Sequence, residues 1–179
     1  TYTPYVINGV TYMYEIHVMV NYDWIKVPMI KKADAISVNW DNTILTYNDN
    51  FKSYDYAYSD LQGKWITYKT WNAPEALNQG GLGIYTYIDY TYRLPSGEMN
   101  GAGGLKGTVT FSLTPEPRFS MSIAPGNNST TINCKYVHDK NPLLGSLSFS
   151  YEGFSVSIDT GELQDSIADA ARIDYTRIA

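Results

Sequence analysis

Apolar and polar residues alternate over most of the first long segment of the chain, VTYMYEIHVMVNYDW at positions 10–24. The apolar or aromatic residues at even-numbered positions include Val10, Tyr12, Tyr14, Ile16, Val18, Val20 and Tyr22. The polar residues at odd-numbered positions include Glu15, His17, Asn21 and Asp23. A period of two residues is typical of a β-strand with one buried face, so this segment predicts an unusually long strand.

Period-two segments separated by turn residues continue along the chain. Asn8 and Gly9 lie between two short apolar runs, which predicts a two-residue β-hairpin. Further hairpins are predicted at Asp41–Asn42 and at Glu152–Gly153. Alternation recurs in the segments KWITYKTW, LGIYTYIDYTYR, GTVTFSL and RFSMSI. Together these patterns predict about ten strands.

One segment near the end has helical periodicity. In GELQDSIADAARI, one helical face would contain Leu163, Ile167 and either Ala170 or Ala171. Asp159 followed by Glu162 resembles a capping box. The sequence therefore predicts one short C-terminal helix that packs on a sheet end.

These elements predict an all-β fold in a single domain over residues 1–179. We expect an antiparallel β-sandwich, with an up-and-down β-barrel as the alternative. The sandwich is favoured because a barrel needs strands of similar length, whereas the first long strand exceeds the later ones. A chain of 179 residues with 44% hydrophobic content can bury a full core.

Composition and charge limit the partners. A net charge of −5 without any basic run argues against nucleic acid, because phosphate binding needs clustered Lys and Arg. No apolar run approaches the roughly 20 residues that cross a bilayer, so no membrane span is expected. The 17 Tyr and the low charged fraction of 17% favour an extracellular or cell-surface protein, or a virion protein as the alternative.

The segment NNST contains two overlapping N-glycosylation sequons, at Asn127 and Asn128, in a predicted exposed turn. The single cysteine, Cys134, excludes an internal disulfide. We interpret it as a small buried hydrophobe that shares a strand face with Ile132 and Tyr136.

The sequence contains few signs of catalysis. Neither His17 nor His138 has a second ligand at a metal-binding spacing, so no metal site is predicted. No nucleophile elbow, P-loop or dinucleotide motif occurs, and no cofactor is predicted. The one catalytic candidate is Asp89, an acid within an aromatic strand; the alternative is that its strand face is simply exposed to solvent.

A glycan or another small ligand is a candidate partner of the segment KWITYKTW. Period-two alternation places Trp65 and Trp71 on one face and Tyr68 on the other. Aromatic rings about 7 Å apart along a strand suit stacking on successive sugars. Burial in a sandwich core is the alternative interpretation of these rings.

Residues 1–24 are a candidate connector between copies of the chain. A strand of about 13 residues spans about 43 Å, which exceeds most sheets in domains of this size. Between Val10 and Ile25 there is no Pro, Gly or Lys, the residues that usually protect exposed edges. Donor-strand exchange, as in surface pili, would explain this segment. The alternative is a long strand that bends at a bulge within one sandwich.

The favoured function is therefore a non-enzymatic structural subunit that self-associates into an extracellular or virion assembly, such as a pilin-like filament. One alternative is a β-sandwich module that binds a glycan or a small ligand, as in cell-surface adhesion. A second alternative is a small β-barrel enzyme with an apolar pocket.

Overall fold

The computed structural model of the chain is all-β and antiparallel. The structure describes residues 2–7, 10–24, 33–87, 97, 104–117, 119–122, 128–139, 147–153, 155–159 and 164–177. The strands in this part of the chain are β1 (Tyr2–Ile7), β2 (Val10–Trp24), β3 (Ala33–Asn39), β4 (Leu45–Tyr47), β5 (Lys52–Ser59), β6 (Lys64–Trp71), β7 (Ala76–Asn78), β8 (Gly81–Tyr87), β9 (Leu105–Pro115), β10 (Phe119–Ser122), β11 (Asn128–Asp139), β12 (Ser148–Glu152), β13 (Ser155–Asp159) and β14 (Gln164–Arg177).

Two layers of strands form a β-sandwich, as predicted. The first layer contains β6, β5, β9 and β2, and the second contains β14, β11, β3, β8 and β7. β10 joins the layers because it pairs with both β2 and β14. The sheet is not closed into a barrel, so the barrel alternative is wrong.

The core lies between the two layers. Ile36 and Ile84 of the second layer pack in one cluster with Val109 and Phe111 of the first. Fully burying an aliphatic or aromatic side chain of this kind contributes about 1.5–3 kcal/mol, so this cluster is the main source of stability. It also fixes which strand edges meet at the sides of the sandwich.

The β12–β13 hairpin covers the outer face of the second layer. Its Ile158 packs with Ala35 and Val137 in a second buried cluster. Gly83 allows this close packing, because a Cβ at that position would lie 2.5 Å from the Phe149 ring. β3 is therefore covered on both faces, and every residue from Asp34 to Val38 is buried.

Two of the three predicted hairpins are confirmed. β1 and β2 pair up to Ile7 and Val10, and their connection at positions 8 and 9 lies outside the described residues. β12 and β13 pair up to Glu152 and Ser155, so this hairpin turns one residue later than predicted and Glu152 belongs to the strand. The predicted hairpin at Asp41–Asn42 is wrong, since β3 pairs with β11 and β8 whereas β4 pairs with β9.

The predicted C-terminal helix is also wrong. Residues 164–177 form strand β14, and no helix occurs in the described part of the chain. β14 pairs with β11 from Asn128 opposite Tyr175 to Asp139 opposite Gln164. This ladder satisfies backbone groups of β11 that a helix would leave unpaired, and such tertiary pairing overrides helix propensity.

Candidate functional site

β2 has different partners on its two edges. Ile16 pairs with both Tyr2 of β1 and Leu113 of β9, which requires one partner on each edge. β9 lies along one edge from Ile16 onwards, and β1 lies along the other edge up to Ile16. In the described part of the chain, no strand pairs with the β1 side of residues Val18–Trp24. We call this stretch the open edge of β2.

The predicted alternation of β2 is confirmed from Glu15 to Asp23. Toward the core, Ile16 is buried and Val18, Val20 and Tyr22 are half-buried against the main cluster. The outer face is exposed, and Met19 leaves 62% of its surface accessible. The side chains of Val10, Tyr12 and Tyr14 lie outside the described residues.

β2 pairs with β1 and β9 of its own chain rather than protruding from the domain. These two partners follow one another along the strand, which accounts for its 15 residues within one sandwich. The role of residues 1–24 between copies stays a prediction.

Other exposed edges in the described sheet carry features that discourage strand addition. β1 contains Pro4, β6 contains Lys64 and Lys69, and β7 is only 3 residues long. β14 contains the charged residues Asp165, Asp169, Arg172 and Asp174. The stretch Val18–Tyr22 has no charge, Pro or Gly. The open edge of β2 is therefore much less protected than these strands.

An apolar cleft of about 790 Å³ opens beneath this edge. The second layer contributes Ile132, Cys134 and Tyr136 of β11, together with Ile167 of β14. Ile167 leaves 71% of its surface accessible, because the first layer ends at β2 and does not cover it. The volume lies within the range of about 300–1,000 Å³ that is typical of binding pockets.

A buried polar cluster lies at one end of the cleft. Nδ1 of His138 is 2.6 Å from Oδ1 of Asp34, and the Tyr136 hydroxyl donates to the other oxygen of the same carboxylate. Asp34 is completely buried on β3. The cluster fixes the Tyr136 ring, whose centroid lies 5.6 Å from that of Tyr22 across the cleft.

Tyr22 links the cleft to strand β5 of the first layer. Its hydroxyl donates to the Asp55 carboxylate of β5. Burial in the first place, and then the nearby Asp55 charge, hold the pKa of Tyr22 well above its ordinary value. Tyr22 is therefore a neutral donor at physiological pH, and this hydrogen bond ties β2 to β5 across β9 within the first layer.

The cleft lacks an activated nucleophile among its described residues. Burial raises the pKa of the Cys134 thiol to about 11, so the thiolate is scarce at neutral pH. Ser166 pairs with Val137 and points to the opposite face of the sheet from His138. Cys134 packs against the same core cluster as Ile132, but it is half-buried rather than buried as predicted.

The residues of KWITYKTW do not form the predicted aromatic row. A β-bulge in β6 inserts Tyr68 as an extra residue, which reverses the faces of the residues that follow it. Trp65 pairs with Tyr58 on the outer face, whereas Trp71 packs against the core cluster. The prediction that Trp65 and Trp71 share one face is therefore wrong.

An aromatic surface does occupy the outer face of β5, β6 and β9. The rings of Trp65 and Tyr58 meet edge to face, with centroids 5.4 Å apart. The Lys106 ammonium lies 4.1 Å from the Trp65 ring centroid and 5.9 Å from that of Tyr56. Trp65 leaves 36% of its surface accessible. This cluster is a second binding candidate, separate from the cleft.

A polar network borders the outer face of β2 next to the end of β1. Glu15 accepts hydrogen bonds from the Ser112 hydroxyl and, at 3.0 Å, from the Asn48 amide. These two hydrogen bonds lower the pKa of Glu15. Nε2 of His17 lies 3.5 Å from the same carboxylate. The network ties β2 to β9 just before the open edge begins.

The remaining predicted site residues lie apart from the cleft. Asn128 is exposed at the start of β11, and Asn127 lies outside the described residues. Asp89 also lies outside them. Tyr85 of β8, which lies in the same alternation as Asp89, is half-buried against Phe149 and donates to the Leu147 carbonyl at 3.0 Å.

The polar residues that shape the cleft were not predicted from the sequence. Asp34 alternates in phase with Ile36 and Val38, so a charge occupies a core-facing position of an apolar strand. His138 follows Cys134 and Tyr136 in the same phase on β11. A polar residue in the buried phase of a strand needs a partner, and that signal identifies both residues.

The chain matches no protein-family model, and comparison with curated proteins finds no match. Among the residues that the structure describes, no helix is long and apolar enough to cross a membrane.

Proposed function

We propose that the protein is a structural subunit that self-associates by β-strand pairing along the open edge of β2. The observation that carries the proposal is the open edge itself, whose stretch Val18–Tyr22 is uncharged and borders an apolar cleft. Strand addition satisfies backbone groups along such an edge, and the incoming side chains bury apolar surface. The proposal keeps the predicted role of a structural subunit and makes the open edge of β2 the surface through which copies pair.

Two exposed apolar side chains support the proposal. Met19 lies on the outer face of the open edge, and Ile167 lies across the cleft on β14. Exposed apolar groups beside an unprotected edge favour association over a monomeric state. The Tyr-rich, weakly charged composition suits an assembly outside the cell, at the cell surface or in a virion, and we propose that setting.

Charged substitutions at the open edge test the proposal. Met19→Lys with Asn21→Lys adds two positive charges to the exposed face of β2. The matched control, Thr67→Lys with Thr70→Lys, adds the same charges to exposed positions of β6. Sedimentation velocity over a concentration series is expected to show association for wild type and control, and a monomer for the β2 variant. A monomeric wild type, or equal association of all three proteins, would contradict the proposal.

Glycan binding is a second candidate function, favoured by the accessible Trp65 ring beside Lys106. A sugar ring stacks on an aromatic face, and the ammonium favours an acidic sugar. An array of neutral and acidic glycans should lose its signal in Trp65→Ala and keep it in Tyr151→Ala, which removes a more exposed ring elsewhere. Absence of binding by the wild type would eliminate this candidate.

A further inference from the structure

We infer that the partner of the open edge is the same edge of a second copy, paired antiparallel about a two-fold axis at Val20. The inference rests on the proposed function and specifies its register. It follows from three observations: the face of each β2 side chain, the end of β1, and the charges of the exposed positions.

The faces of β2 limit the possible registers. Val18, Val20 and Tyr22 face the core, and residues opposite one another in a ladder lie on the same face. Continuing the apolar face across the junction requires even-numbered residues to oppose even-numbered residues. A symmetric antiparallel pair must therefore be centred on a residue and not between two residues.

The end of β1 limits the length of the pair. Tyr2 occupies this edge at Ile16, so a second copy can pair from His17 upward. A junction centred on Val20 uses residues 17–23, and a junction centred on Asn21 uses residues 18–24. A junction of the same length centred on Met19 would use residues 16–22 and would need the edge of Ile16, which Tyr2 occupies.

The exposed side chains decide between the two remaining centres. With Val20 at the centre, His17 lies opposite Asp23 of the second copy, and symmetry repeats this complementary pair at the other end. Met19 then lies opposite Asn21 of the second copy. With Asn21 at the centre, the apolar Met19 would lie opposite the Asp23 carboxylate. Keeping the apolar Met19 away from the Asp23 carboxylate of the second copy therefore favours Val20.

The core-facing side chains fit the same centre. Val20 meets its own copy, and Val18 lies opposite Tyr22 of the second copy. Apolar side chains thus continue across the junction at the mouth of each cleft, where Ile167 is otherwise accessible to water. The two first layers become one sheet that runs through both copies.

Cysteine cross-linking tests the register. In a Cys134→Ala background, we would oxidise Val20→Cys alone, Met19→Cys alone, Asn21→Cys alone, and an equal mixture of the last two. Successive antiparallel pairs alternate in Cα spacing, so either the 20–20 pair or the 19–21 pair has the closer geometry that suits a disulfide. We expect covalent dimers of Val20→Cys or of the mixture, and none of Met19→Cys or Asn21→Cys alone.

Two outcomes would overturn this register. Cross-linking of Asn21→Cys by itself would place the axis at Asn21. If no variant forms a cross-link but the lysine substitutions in β2 still abolish association, the symmetric pairing is rejected and the proposed function stands. A monomer at every concentration would reject both.

Discussion

Nδ1 of His138 lies 2.6 Å from Oδ1 of Asp34 between β11 and β3, and the Tyr136 hydroxyl donates to the second oxygen of that carboxylate. One buried acid thus holds two side chains of the cleft. A polar group of this kind is retained in a protein interior only when its hydrogen bonds are satisfied.

Replacing the buried carboxylate should destabilise the fold. Asp34→Ala removes the acceptor of both His138 and Tyr136, and we expect a loss of about 2–4 kcal/mol in the free energy of unfolding. Urea unfolding measures the loss. Asp159→Ala is the control, because that exposed carboxylate accepts one hydrogen bond from Ser150, and about 0.5 kcal/mol is expected there. Equal losses in the two variants would refute a supporting role of Asp34.

The thiol of Cys134 should react slowly despite its position in the cleft. Its pKa of about 11, against an ordinary value of 9.0, leaves about 100-fold less thiolate at pH 8 than in the unfolded chain. Because the folded pKa is raised, this group stabilises the fold below pH 9.0, and the contribution disappears as pH rises toward 11. Iodoacetamide labelling should therefore accelerate near pH 11; acceleration near pH 9 would contradict the assignment.

The pKa of Glu15 should depend on Ser112. Hydrogen bonds from Ser112 and Asn48 lower this pKa below 4.5, so Glu15 stabilises the fold above that pH and loses the contribution as pH falls through its folded pKa. Ser112→Ala should move the titration midpoint of the Glu15 carboxyl carbon upward in NMR spectra. Thr114→Ala is the control, because that hydroxyl donates to Asn48 instead of Glu15. An unchanged midpoint in Ser112→Ala would show that this hydrogen bond does not set the pKa.

Gly83 and Phe149 should be energetically coupled. A Cβ at position 83 would lie 2.5 Å from the Phe149 ring, so Gly83→Ala should cost about 1–3 kcal/mol through overpacking. In a Phe149→Ala background the added methyl group enters space that the ring has left, and the cost should fall to about 0.5 kcal/mol or less. Urea unfolding midpoints of the wild type, Gly83→Ala, Phe149→Ala and the double variant complete the double-mutant cycle. Additive costs would mean that the hairpin does not pack on Gly83.

Local alternation was sufficient to predict the fold class, the long strand β2 and two hairpins. It failed where distant pairing decides the conformation. The segment Gln164–Arg177 has helical periodicity, yet its pairing with β11 makes it a strand. The short strand β7 was missed for another reason, because 3 residues contain too few positions for a period to be recognised.

The candidate site was only partly predictable. The absence of Pro, Gly and Lys identified β2 as an unprotected strand, but only the pairing of Ile16 with Tyr2 and Leu113 reveals which edge is open. The bulge at Tyr68 is likewise invisible in an alternating sequence. Both features depend on register, which is set by contacts between residues that are far apart in the chain.

Hydrogen exchange as a function of protein concentration tests the central proposal most directly. Along the open edge Val18–Trp24, alternate backbone amides point away from β9 and should exchange more slowly as concentration rises, since strand pairing protects them. Amides of the lysine-containing strand β6 should exchange at the same rate at every concentration. Exchange at the open edge that does not change with concentration, with a monomeric mass throughout, would contradict assembly through β2.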